Sequence, residues 1–94
     1  MNLFVIYESA IYNADIAEKN VKENDFKSAM KNLTKCYKQI DDTDLIIETR
    51  ARVHTERAVK AIQEENSDEA IHELKKLKSK ISSKQIELLT QPKQ

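Results

Sequence analysis

Apolar residues recur every three or four positions through most of the chain, and breaks in that rhythm divide it into four amphipathic segments. Leu3, Ile6, Tyr7, Ala10, Ala14, Ala17 and Val21, widened by Phe4 and Ile11, predict a first helix from about Leu3 to Glu23. Asn24-Asp25 interrupts the stripe, and Asp25 is a good N-cap for the next helix. Phe26, Ala29, Met30, Leu33, Cys36, Tyr37 and Ile40 predict that second helix over about 26–40. Asp41-Asp42-Thr43-Asp44 is the strongest punctuation. Its carboxylates suit the positive N-terminus of a third helix, with Thr43 or Asp44 as the expected cap. This long third helix, about Leu45 to Glu65, is expected from Ile47, Ala51, His54, Ala58 and Ile62 on one face, with Ile46, Val53 and Val59 beside it. Asn66-Ser67 closes it. The fourth helix has the acidic start Asp68-Glu69 and runs through Ala70, Ile71, Leu74, Leu77 and Ile81 to Leu88 or Leu89.

Joints of two to four residues turn consecutive helices antiparallel. The expected fold is therefore all-α, four antiparallel helices forming two hairpins at about 3–41 and 44–89 within a single domain, 1–89. The hairpins either stack as a short solenoid or close as an up-down-up-down bundle. Residues 90–94 are expected to be a disordered tail.

The two hairpins also look like one pattern written twice. With residues 16–40 laid on 57–81, 41 positions apart, Ala17 falls on Ala58, Lys19 on Lys60, Glu23 on Glu64, Ala29 on Ala70, Leu33 on Leu74, Lys35 on Lys76 and Ile40 on Ile81. Self-similarity at such a period is how helical-hairpin repeats appear in sequence. Ala17 and Ala29 stand twelve apart, as do Ala58 and Ala70. Alanine where two helices cross lets their axes approach closely. In its paired small residues, the Asn24-Asp25-Phe26 turn and the subsequent Leu33 and Cys36, the segment Ala17–Ile40 resembles a tetratricopeptide-type hairpin. The second unit also resembles the helical hairpins of YfdX-like bacterial proteins. The chain departs from the tetratricopeptide pattern in its 41-residue period instead of 34 and in lacking the family's glycines, early aromatic and closing proline.

Composition narrows the function classes. No glycine and a single proline, Pro92, leave a chain of helix formers without hairpin-turn signals. Sixteen basic residues balance sixteen acidic ones, and no apolar run approaches the ~20 residues that span a bilayer. The Leu3–Tyr7 stretch has no basic residue before it and does not read as a secretory signal. One cysteine makes no internal disulfide, so a reducing, cytoplasmic setting is expected. Residues 1–48 carry six basic against nine acidic side chains and residues 49–94 ten against seven, a dipole that favours antiparallel self-association.

Candidate chemistry is sparse. Glu69-x-x-His72 has the spacing of a di-iron ligand pair, but Ala51 precedes His54 where a second such pair would need glutamate. His54 falls on an apolar face and is expected to satisfy a core hydrogen bond, with Tyr12 or Tyr37 as guessed partners. Cys36 reads as core. No Ser-His-Asp ordering, phosphate loop or zinc spacing occurs, so neither catalysis nor a cofactor or metal is expected. Lys75, Lys76, Lys78, Lys80 and Lys84 form one basic strip and Arg50, Arg52 and Arg57 another, which together are a candidate anion-binding face.

The leading expectation is a non-enzymatic interaction module that binds a protein partner, with homodimerisation as one way of completing a two-hairpin core. Its candidate surface comprises Phe4, Tyr7, Ile11 and Tyr12 of the first helix with Ile46, Val53 and Val59 of the third. The alternatives are a nucleic-acid or anionic-surface binder using the basic strips, and a bundle holding a small molecule near His54, Tyr12 or Tyr37.

Overall fold

The computed structural model describes residues 2–43, 45–46 and 50–90. Among them are four helices and no strand: α1 (Leu3–Lys22), α2 (Phe26–Ile40), α3 (Ala51–Gln63) and α4 (Ser67–Thr90). The Asn2 carboxamide starts α1 by accepting the Phe4 amide at 2.7 Å, and Asp25 starts α2 by accepting the Ser28 amide at 3.1 Å.

The two hairpin turns repeat each other at the level of single hydrogen bonds. Asn24 and Glu65 are both left-handed, with φ of 59° and 54°. The next amides, those of Asp25 and Asn66, each reach back five residues, to the carbonyls of Asn20 and Ala61, at 2.8 Å in both cases. This is a Schellman ending. The side chains of the same two residues then cap the new helices, with Asn66 accepting the Glu69 amide at 3.2 Å as Asp25 does that of Ser28. The 41-residue sequence register thus becomes a register of backbone geometry.

Packing settles how the hairpins are arranged. α1 lies along both α2 and α4, α3 lies along α4, and the α2–α3 seam is the sparsest of the four. Asn13 pairs with Gln39 and Asn20 with Asn32 across α1–α2, while Lys78 reaches Asp15 and Gln85 reaches Phe4 across α1–α4. Both sets run antiparallel. Extensive α1–α4 packing closes a bundle; stacked hairpins would hold those helices apart. Ala17, Ala29, Ala58 and Ala70 are all fully buried, as the crossing positions require. Leucine at any of them would overpack the crossing, a change of about 1–3 kcal/mol.

The third helix differs from its expected span. It starts at Ala51, not Leu45, and Arg50 at its N-cap has φ −90° and ψ 22° with no side-chain cap. Leu45 and Ile46 are helical and buried, with the Ile46 amide reaching the Thr43 carbonyl at 3.2 Å, and residues 47–49 between them and Arg50 lie outside the described residues. Periodicity runs through this stretch, but the backbone at Arg50 is not helical. Thr43 is not the N-cap of the third helix. It ends α2, its hydroxyl donating to the Ile40 carbonyl at 2.7 Å. Asp44 as a cap, Ile47 on a helix face and residues 91–94 of the expected tail lie outside the described residues, whereas Thr90 is the last residue of α4. No helix among the described residues is long and apolar enough to cross a membrane.

Candidate functional site

Because the α2–α3 seam is sparse, Tyr37 and Val59 remain partly accessible along it. Leu33, Thr34 and Tyr37 from α2 and Thr55, Glu56 and Val59 from α3 line an open groove of about 290 Å³ whose accessible surface is mostly apolar. The fully buried Leu33 forms its floor, and Val59 and Tyr37 are half-buried. Asp41 beside the Tyr37 hydroxyl holds that phenol above its ordinary range, and Arg52 opposes the shift. The groove therefore has an apolar floor and charged margins, an arrangement suited to a docked side chain rather than to bond-breaking chemistry.

Of the residues proposed from sequence as a partner surface, Val59 lines this groove and Val53 is exposed on the same helix. Tyr12 is 65 % exposed on α1, while Phe4 and Ile11 are half-buried. Two are not available to a partner. Tyr7 is fully buried at the centre of the α1 stripe and Ile46 is 8 % exposed in the end of the bundle. An amphipathic stripe alone does not reveal which of its apolar residues the neighbouring helices cover.

His54 has a partner that its sequence neighbourhood does not suggest. Its Nδ1 lies 3.2 Å from Oε1 of Glu73 on α4, with His54 7 % and Glu73 1 % exposed. Arg57 comes within 3.9 Å of the same oxygen. Tyr12 is exposed and Tyr37 lies beside Asp41, so the two expected partners are elsewhere. Glu73 was legible in principle, since it sits inside the apolar series Ala70, Leu74, Leu77 at a position where a carboxylate needs a partner. His54, Tyr12 and Tyr37 do not gather around one cavity.

The basic strips are divided among different faces. Lys76, Ser79 and Lys80 line a depression with His54 between α3 and α4, and Arg57 lines a neighbouring one with Lys60, Ala61, Glu64 and Glu69. Arg52 lies on the opposite side of α3, near Tyr37, while Arg50 and Lys75 are exposed. Lys78 is committed internally, 2.9 Å from Asp15 and 3.1 Å from Glu18, and Lys84 is 3.4 Å from Glu87. These two are therefore not free to join an anion-binding face. His72 is exposed, and no three His, Cys, Asp or Glu side chains among the described residues gather as metal ligands. Burial pushes the Cys36 thiol up to about 12, which leaves it un-ionised in the core.

Compared with known proteins, the chain matches no family model, no curated protein and no solved structure. What stands beneath the hairpin resemblances is the compact four-helix all-α fold itself.

Proposed function

We propose that this protein is a non-enzymatic interaction module that binds a protein partner through the α2–α3 groove. The observation that carries this reading is the contrast between seams. Three of the four helix pairs pack closely over a buried core, while the fourth leaves Leu33, Tyr37 and Val59 lining an open groove. Accessible apolar surface held open by a rigid scaffold marks an interaction site. The core is closed within one chain, so a partner adds to the surface and is not needed to fill the interior. The test compares proteins retained from native lysate by the wild-type chain and by Val59→Lys. Loss of the same proteins from the variant supports the reading, and unchanged retention defeats it.

Self-association is a second reading with its own observation. Leu3 and Val5 of α1 and Ile86 and Leu89 of α4 are exposed at one end of the bundle, where antiparallel packing brings the two helix ends together. A homodimer through that end would leave the groove free. Light scattering of the wild type beside Val5→Lys/Leu89→Lys distinguishes it, since only a dimer of this kind halves its mass in the double variant.

A further inference from the structure

Helix α2 carries Lys27, Lys31, Lys35 and Lys38 and no carboxylate from Phe26 to Ile40. All four lysines are exposed, and none forms an ion pair among the described residues. Lys19, Lys60, Lys75, Lys76 and Lys80 on the other helices are likewise without an ion pair, but only α2 carries no carboxylate of its own. A helix stabilising itself by charge would place glutamates four residues from its lysines and keep cations away from its first turn. α2 does neither, and Lys27 is its second residue.

The placement of these charges is specific. Lys27, Lys31 and Lys38 share a helical stripe with Thr34, at i, i+4, i+7 and i+11, and Thr34 lines the groove. On the other side, Arg52 shares a stripe with Glu56 and Val59, which also line it. The margins therefore hold four cations about an apolar floor against two carboxylates, Glu56 among the lining residues and Asp41 beside Tyr37. The depression between α3 and α4 is also basic, but its lining of His54, Lys76, Ser79 and Lys80 includes no apolar residue.

We infer that the groove takes an acidic amphipathic helix from a partner protein. Apolar side chains at helical spacing enter between Leu33 and Val59, and flanking carboxylates meet Lys27, Lys31, Lys38 and Arg52. This rests on the interaction-module reading and specifies the partner's chemistry. An α2 of 15 residues at ~1.5 Å per residue matches a partner helix of about four turns. Charge sets which helices are accepted and how fast they arrive, while the apolar contact holds them. A nucleic acid would also seek the lysines and has Tyr37 to stack on, but it has no apolar ridge to place on Leu33 and Val59.

The test uses the full chain and three fluorescein-labelled probes. The first is a 14-residue helical peptide with leucine at positions 4, 7 and 11 and glutamate at most others. The second replaces every glutamate by lysine, and the third is a 14-nucleotide single strand. Anisotropy is read at two salt concentrations, and amide and methyl shifts report the site. The expected result is that the acidic peptide binds and moves Leu33, Thr34 and Val59 signals, the lysine peptide does not, and Lys31→Glu/Lys38→Glu weakens binding at least tenfold. Both lysines are exposed, so the variant folds; Thr34→Glu, also at an exposed position, supplies an independent loss. Equal groove binding by both peptides overturns the charge inference and leaves the docking groove standing. No groove shift with either peptide overturns both. Binding of the oligonucleotide alone, through lysine signals without Leu33 or Val59, replaces the proposal with a nucleic-acid surface.

Discussion

Asn24 and Glu65, 41 residues apart, adopt the same left-handed backbone at the same point of two hairpin turns, with φ of 59° and 54°. A side chain in that region meets its own backbone, at about 1–2 kcal/mol, although asparagine tolerates it better than glutamate. Both residues are exposed and their amides already close the turn. Glu65→Gly is therefore expected to stabilise the protein by about 1 kcal/mol, and Asn24→Gly by less, after allowing for glycine's looser unfolded chain. For a domain of this size, the first corresponds to a rise of roughly 4–8 °C in Tm. Calorimetry of the two variants checks both the sign and the order.

Tyr7 is the largest fully buried side chain of α1, and its hydroxyl has no hydrogen-bond partner. A buried polar group without a partner opposes folding. Tyr7→Phe keeps the ring and removes the orphan, so unfolding in urea should show a gain of about 1 kcal/mol with an unchanged m-value. A loss of similar size would mean that the hydroxyl holds a buried water.

The His54–Glu73 pair joins α3 to α4 in the interior. Removing one member leaves the other desolvated, and Arg57, 58 % exposed and 3.9 Å away, compensates only in part. His54→Ala should destabilise by about 3 kcal/mol. His54→Leu/Glu73→Leu removes both polar groups and should recover most of that loss. A double-mutant cycle by chemical denaturation measures the coupling.

Lys78 ties α4 to α1 through Asp15 and Glu18, and its titration gives the bridge a pH window. The hydrogen bond from Lys78 holds the Asp15 carboxyl below its ordinary value. Burial works to lower the Lys78 ammonium, but hydrogen bonds to Asp15 and Glu18 outweigh it and the net shift is upward. A depressed acid contributes stability above its unfolded value, which fades as pH falls through the folded one, below about 4. A raised base contributes fully below its unfolded value of 10.5 and loses that contribution as pH rises through the folded one. The bridge is thus complete between about pH 4 and 10. Asp15 is 67 % exposed, so solvent screening limits its share to at most about 1 kcal/mol. Stability measured across pH for Lys78→Met should match the wild type more closely below pH 4 than at neutrality.

Helices α1, α2 and α4 and the two hairpin turns were legible in the order of residues alone. Spacing of three and four residues is a local property, so α2 could be read to its ends, and the Asn24-Asp25 and Asn66-Ser67 breaks mark both hairpin turns, although the left-handed residue of the second is Glu65. The paired alanines were equally plain, because only small residues let helices cross so closely. Long-range packing settles the rest. α3 begins at Ala51, and Leu45 and Ile46 are buried ahead of it, neither of which periodicity registers. His54 meets Glu73 and Lys78 meets Asp15 only once α3, α4 and α1 lie side by side. The groove is likewise a property of one seam, since how closely α2 and α3 approach depends on how both are held by α1 and α4. Local chemistry sets each helix, but only packing among all four decides which apolar residues are covered and which remain for another molecule.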